Sequence, residues 1–247
     1  MRNRISTLVL ALVVGAGLAW AAPPTTDSQT TQNIQSRLDH TKLNQHGNEV
    51  RVSYAGGVAT LTGTVDSLGN KLDAEKAAQK VHGVTQVVDN LRVQGASNDQ
   101  VLDQARHDVV MYYAYGIFDN VNLAADHGTL TVSGQVTMPF KKNDLGRILQ
   151  SVKGVAVLNN DLEVLPVSNF DDRLRQQVAR SIYGDPYFMA YRNQPIPSIH
   201  IIVDNGHVTL EGVVGSAMDR TKANMDALGA GISFSVVNNL QIEKRAA

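Results

Sequence analysis

Two glycines six residues apart recur three times along this chain, as Gly57 and Gly63, Gly128 and Gly134, and Gly206 and Gly212. Successive copies are offset by 71 and then 78 residues. Around them stand "SYAGGVATLTGTV" (Ser53 to Val65), "AADHGTLTVSGQV" (Ala124 to Val136) and "VDNGHVTLEGVV" (Val203 to Val214). Each stretch reads as a strand, a tight turn and a second strand. Asn205-Gly206 suits a type I′ turn, which needs positive φ at both central residues. A third landmark keeps the same offsets. Leu91, Leu162 and Leu240 sit in the endings "VVDNLRV", "LNNDLEV" and "VVNNLQI". Repetition at a fixed period points to one structural unit used three times.

The turns set the strand registers. In the third copy Val203 falls opposite Val208, Ile201 opposite Leu210 and Ile199 opposite Gly212. In the second, Ala125 meets Leu130, Leu123 meets Val132 and Val121 meets Gly134. In the first, Tyr54 meets Ala59, Val52 meets Leu61 and Val50 meets Gly63. By the period of two, these residues form one apolar face per hairpin. The second glycine of each pair lies on that face. A glycine inside a strand weakens it unless something needs the room. The expected need is close approach of a helix to the sheet, a packing role rather than a ligand contact.

Amphipathic stretches flank each hairpin. Before it come Ile34, Leu38 and Leu43 in the first copy, and Val101, Leu102, Ala105 and Val109 in the second. The third has Phe170, Leu174, Val178 and Ile182, all at helical spacing. Asn98 and Asn169 are the expected N-caps of the second and third of these helices. A second helix follows each hairpin, with Ala74, Ala78 and Val81, then Leu145, Leu149 and Val152, then Ala223 and Ala227 turned inward. The fold class is therefore α+β. It comprises three tandem α-β-β-α-β units at 28–96, 97–166 and 167–244, each a small three-stranded sheet with two helices packed on one face. Units of about seventy residues can just hold a core of their own. The joining segments "QGASNDQ" and "LPVSN" are short.

Residues 1–21 read as a signal peptide. "MRNR" is basic, Ile5 onward is apolar, and Ala19-Trp20-Ala21 places small residues where a signal peptidase reads. The competing reading is a retained anchor. Ile5 to Ala22 is 18 residues, the low edge of what spans a bilayer, and Gly15 and Gly17 weaken it as a span. No later stretch is long and apolar enough, so no transmembrane segment is expected in the mature chain. Removing Arg2 and Arg4 leaves 20 basic against 23 acidic residues. That balance implies no nucleic-acid partner. The chain has no cysteine, which excludes disulfides, thiolate metal sites, a cysteine nucleophile and a lipid-modified N-terminal cysteine.

The element order, the hairpin forms "GVATLTGTV" and "HVTLEGVV", and the closing "VVDNLRV" and "VVNNLQI" resemble the BON domain, in three copies that span nearly all of the mature chain. The second copy departs from the pattern, with "VAVLNNDLEV" as its closing strand. The resemblance implies a periplasmic or secreted protein similar to osmotically induced BON proteins. Such proteins serve envelope integrity and stress tolerance, and some bind anionic phospholipid. It implies no catalytic residue and no cofactor. Lipoprotein members are anchored through a cysteine, so a freely diffusing form is the closer comparison.

The residues themselves offer little chemistry. The seven histidines, His40, His46, His82, His107, His127, His200 and His207, show no metal-ligand spacing. The hairpin register puts His207 opposite Asp204 and His200 opposite Glu211, on different rungs. No nucleophile–base arrangement or phosphate-binding loop appears, so no enzyme is expected. Six of seven tyrosines fall in "MYYAYGIF" (Met111 to Phe118) and "SIYGDPYFMAYRNQPIP" (Ser181 to Pro197). Tyr187, Phe188, Tyr191 and Arg192 form the candidate lipid or partner surface, together with the helix bases Lys76 and Lys80. Amphipathic rings beside a guanidinium suit a headgroup boundary, and bases near a membrane are drawn to anionic lipid. The plainer readings are that the rings fill the gap between helix and strand, and that the bases are a solvated face.

The leading expectation is a non-enzymatic envelope protein that binds phospholipid surfaces. The alternative is a protein–protein adaptor or chaperone-like factor with no lipid role. Processing is directly measurable. The mature protein should begin at Ala22, read as an intact mass from envelope fractions; a mass that retains Met1 would favour the anchor.

Overall fold

The structure, a computed structural model, describes residues 27–41, 43 and 48–243. The expected signal peptide with its cleavage point, and His46, lie outside the described residues. The first unit runs α1 (Asp27–His40), β1 (Glu49–Ala55), β2 (Val58–Val65), α2 (Leu68–Gln79) and β3 (Gln86–Val93). The second runs α3 (Asn98–Met111), β4 (Asn120–Asp126), β5 (Thr129–Val136), α4 (Pro139–Gln150) and β6 (Val157–Val164). The third has α5 (Asn169–Gly184), a 3₁₀ turn (Pro186–Phe188), α6 (Met189–Arg192), β7 (Ile199–Asp204) and β8 (His207–Val214). It ends with α7 (Ala217–Gly229), β9 (Ser235–Asn238) and β10 (Gln241–Ile242). The α+β architecture of three repeated units is thus present.

In each sheet the hairpin is antiparallel, and the closing strand lies parallel to the hairpin's second strand, which is central. Every register read from the sequence is found, including Ile199 opposite Gly212, Val121 opposite Gly134 and Val50 opposite Gly63. The turns take the mirror-image form that matches strand twist. Asn205 and Gly206 have φ of 48° and 80°, and His127 and Gly128 have 45° and 81°. Helices cover the apolar face of each sheet. Ile34, Leu38, Ala74 and Ala78 meet Val50, Leu61 and Leu91 in the first core. The other two cores repeat this with Ala105, Leu149 and Leu162, and with Val178, Ala227 and Leu240. Phe170, expected inward, is instead partly exposed at the start of α5.

The recurring mid-strand glycines have a different cause from the one expected. Gly63, Gly134 and Gly212 have φ of +123°, +114° and +114°. A Cβ added there would lie 2.0 Å from the Glu49 carbonyl oxygen, 2.2 Å from that of Asn120 and 2.0 Å from that of Ser198. The body that needs the room is the backbone of the neighbouring hairpin strand, not a helix. The left-handed backbone and the close carbonyl each exclude a side chain.

Two further corrections concern caps and closing strands. The N-caps are Ser97 and Ser168, one residue before the expected asparagines, and Ser97 forms a full capping box with Gln100. Serine wins because its short hydroxyl reaches the N–H three residues on. Asn98 then serves another end: its side-chain oxygen accepts the His127 N–H at 3.1 Å and ties α3 to its hairpin turn. In the third unit Asp171 does this with more force. Fully buried, it accepts the N–H groups of Asn205 and Gly206 at 3.0 and 2.8 Å. The closing motif also gains a cause. The side chains of Asp89, Asn160 and Asn238 each accept the N–H of the leucine two residues on. In the third unit the expected single strand is broken into β9 and β10 at this point, where the Asn238 backbone carbonyl accepts from Arg220 and its side-chain amide donates to the Arg220 carbonyl.

The units touch through backbone hydrogen bonds. Leu68 donates to the Val155 carbonyl and Gly154 to the Asp66 carbonyl, both at 2.8 Å, while Leu68 and Ala96 pack on the second core. Between the second and third units, Ile201 donates to the Ile117 carbonyl at 2.7 Å. Buried Asp119 fixes the loop that carries Ile117. It accepts from the Gly116 and Thr137 N–H groups and pairs with Lys141 at 2.7 Å. His200 packs on Tyr115 beside this loop, and burial holds its imidazole below the usual range.

Gly212→Ala should lower the unfolding free energy by about 1–3 kcal/mol, since it combines strained φ with a backbone clash. Gly229→Ala, where a Cβ meets nothing within 4 Å, should cost nothing by the same denaturant titration. Equal midpoints for the two variants would mean the carbonyl contact imposes no constraint.

Candidate functional site

The extra length of the third unit is spent on one insertion between α5 and β7. Asp185 starts it by accepting the Tyr187 N–H at 2.8 Å, which opens the 3₁₀ turn. Asp185 also pairs with Lys222 of α7, whose ammonium pairs in turn with Asp226 at 2.6 Å. These contacts hold the Asp185 carboxyl below its ordinary range, the ammonium bond being the main cause. The insertion is thereby fixed to the start and middle of α7.

Its aromatic residues converge on one carboxylate. The Tyr187 hydroxyl donates to Asp219 Oδ1 at 2.6 Å, and the Tyr191 hydroxyl donates to Oδ2 at 2.7 Å. Tyr191 also accepts the Gly215 N–H at 2.7 Å. Burial raises the Asp219 pKa, but the two phenols and the Ser216 cap outweigh it and hold the carboxylate ionised. The phenols answer in kind. Tyr187 is pushed up mainly by its bond to Asp219, and Tyr191 by burial and then by that bond. Each Asp219 oxygen thus accepts one tyrosine hydroxyl.

The four candidate residues of the insertion do come together, but they divide by environment. Phe188 is fully buried, its ring 5.1 Å from Tyr187 and 5.7 Å from Tyr191. It belongs to the core of the third unit, so a surface role for this residue is corrected: no part of its ring reaches solvent. Tyr191 is mostly engaged by Asp219 and Gly215. Tyr187 and Arg192 remain exposed, joined by Met189, which the sequence reading passed over. A cleft of about 590 Å³ opens beside them, and its charged lining is acidic, Asp219 and Glu243. Lys76 on α2 and Lys80, the C-cap of that helix, lie elsewhere, exposed in the first unit.

The companion aromatic stretch of the second unit is mainly structural. Tyr112 is buried and donates to Asp144 at 2.8 Å, while Ile117 and Phe118 pack on the third core. Of its tyrosines Tyr113 alone stands well out into solvent, with Met111 beside it. His200 and His207 occupy different rungs, opposite Glu211 and Asp204. Among the described residues there is no cluster of three or more histidines or carboxylates able to hold a metal, and no helix long and apolar enough to cross a membrane. The feature that sequence reading missed is a set of exposed apolar side chains on and after α7: Met218, Met225, Leu228, Ile232 and Phe234. Aligning the three repeats position by position singles out four of them: Met225, Leu228, Ile232 and Phe234 stand where the first two units carry charged, polar or small residues, while Met218 aligns with Phe140.

Comparison with known proteins adds a family. The model of the BON domain matches residues 26–95, 118–166 and 170–244, most of the chain. A search of curated proteins finds no match. Among solved structures, the C-terminal domain of CdsD, the structural protein of the Type III secretion system of Chlamydia trachomatis, aligns at 13% identity. It covers 86% of this chain and 96% of that chain, with a TM-score of 0.25. The PrgH periplasmic domain aligns at 9% identity over 83% and 100%, with a TM-score of 0.22. At such TM-scores these likenesses carry no argument about function.

The tyrosine–carboxylate cluster makes a stability prediction. Tyr191→Phe keeps the ring but leaves Asp219 one donor short and the Gly215 N–H without its acceptor. It should cost about 1–2 kcal/mol, whereas Tyr113→Phe should cost nothing. Thermal unfolding of the two variants separates them, and equal midpoints would mean that Asp219 does not organise the insertion.

Proposed function

The chain belongs to the BON domain family, and we propose that it is a non-enzymatic, exported envelope protein that binds anionic phospholipid surfaces. Family membership is the observation that carries this reading. A non-catalytic role is supported by the state of the ionisable groups in the insertion: Asp219, Asp185 and Lys222 are each satisfied by partners within the protein. The lipid-facing groups of this proposal are the exposed bases Lys76 and Lys80 of α2, with Tyr187, Met189 and Arg192 as an amphipathic rim on the third unit. A ring and a thioether enter the headgroup layer shallowly while a guanidinium meets phosphate. Three units in one chain add avidity when more than one touches the same surface. Cleavage before Ala22 would release the protein to the periplasm or beyond.

One observation favours the adaptor reading instead. The exposed apolar side chains of α7 have the character of a protein contact rather than of a charged headgroup site.

Cosedimentation with vesicles of anionic and of neutral lipid tests the proposal. The parent should bind the anionic vesicles only, and less as salt rises. Lys76→Ala with Lys80→Ala should weaken binding severalfold, at about 1 kcal/mol per base near the surface. Arg192→Ala should weaken it further with little change in thermal stability. Failure of the parent to bind anionic vesicles at low salt would sink the lipid reading and leave the adaptor.

A further inference from the structure

The second and third units meet where the loop after α3 reaches β7. The Ile201 N–H donates to the Ile117 carbonyl at 2.7 Å, and Ile117 and Phe118 pack on the third core. Beside that contact the units part. The second unit contributes Glu163 and Leu165 to a cleft of about 630 Å³, and the third contributes Ile202, Asp204, His207 and Glu211. His200 is the β7 residue next to the bridging bond. Its ring lies 5.6 Å from that of Tyr115, in the same loop as Ile117. Its Nδ1 is sealed from solvent and has no hydrogen-bond partner. The offsets of 71 and 78 align His200 with Asn122 and Arg51 in the other units. Neither of those side chains changes charge near neutral pH.

The loop brings two ionisable groups to this ring. One is the Tyr115 phenol, which burial and then Asp119 push up to about 12. The other is the Asp119 carboxylate, which is paired with Lys141 of α4. From β8 comes Glu211, opposite His200, its carboxylate accepting the Asn239 side-chain amide at 2.7 Å. Burial is the largest influence on His200 and holds the imidazole below the usual histidine range. Backbone groups of Asp119 and Gly116, and the carboxylates of Asp119 and Glu211, act the other way and are outweighed. With no acceptor at Nδ1, the neutral ring keeps its proton on Nε2. Protonation adds an N–H at Nδ1 that meets no acceptor, and a buried donor without a partner is costly. Once the units separate, water supplies that acceptor.

We propose that His200 is a pH-sensitive latch between the second and third units: its neutral ring closes the contact at Tyr115 and Ile117, and its protonation releases that contact. Linkage fixes the direction. The separated units bind the proton more tightly than the docked ones, so the latch holds above the ordinary histidine value of about 6.5 and weakens as pH falls below it. The cleft beside the contact leaves little other packing for the release to break. Histidine is the side chain whose ordinary pKa lies in this range, so exposed His207 in the cleft is the group to be told apart from His200. The latch requires no lipid, and its test is separate from that of the lipid reading.

Amide hydrogen exchange of the mature chain, followed by NMR without lipid, tests this. Corrected for intrinsic rates, the Ile201 amide should exchange severalfold faster at about pH 5 than at about pH 8, on either side of the ordinary histidine value. The Leu210 amide, in the central strand of the same sheet, should keep its protection, because the units part without unfolding. His200→Asn installs the residue of the second unit and should remove the change at Ile201, whereas His207→Asn should retain it. In the parent, the His200 ring should titrate with the same midpoint as the Ile201 change, a readout that does not depend on any variant folding. An Ile201 amide equally protected at both pH values overturns the proposal. So does a change that survives His200→Asn, or one that vanishes in His207→Asn. Joint loss of protection at Ile201 and Leu210 would be global unfolding and equally overturns the latch, as would a ring that titrates away from the change.

Discussion

Each unit is organised by the place where the two hairpin strands come closest. At Gly63, Gly134 and Gly212 the partner strand's carbonyl oxygen occupies the space where a Cβ would project. The backbone there takes a φ that only glycine adopts without strain. Each of these glycines lies in the central strand, six residues beyond the turn glycine. Both ends of the hairpin are thus set by backbone geometry. The helices have little choice after that, because the apolar face they must cover has a defined shape.

The helix starts lock that geometry from outside. Asn98 and Asp171 reach from the first turns of α3 and α5 to the N–H groups at the hairpin tips. In the third unit the interaction is charge-assisted and wholly buried. Its cost in desolvation is offset by two backbone donors; on the same helix, buried Arg175 pairs with Asp172 and donates to the Val203 carbonyl. The third unit is also the one with an insertion, a broken closing strand and an apolar outer face. Its stronger clamp fits a unit that carries the most departures from the shared plan.

Those departures bear on function. The first two units meet where the start of α2 abuts the end of α4. The third unit presents an aromatic insertion braced on Asp219 and an α7 with Met218, Met225 and Leu228 exposed. The proposed lipid-facing groups, the bases at the end of α2 and the rim of the insertion, stand on different units.

The repeat, the three hairpins, their registers and the inward residues of most helices were legible in the sequence alone. They rest on local rules: period-two alternation, turn residues that tolerate positive φ, and fixed offsets between landmarks. The sequence also held the pattern that sets Met225 against Lys76 and Arg147, although it takes the structure to show that the methionine is exposed. What only the tertiary structure decided are matters of approach in space. That the mid-strand glycines yield to a strand carbonyl and not to a helix depends on backbone paths that side-chain patterns do not encode. That Phe188 is core while Tyr187 and Arg192, its neighbours in the same insertion, are surface depends on where α7 brings Asp219 and Lys222. Residues more than thirty positions apart meet there, and periodicity within one element carries no information about such a meeting.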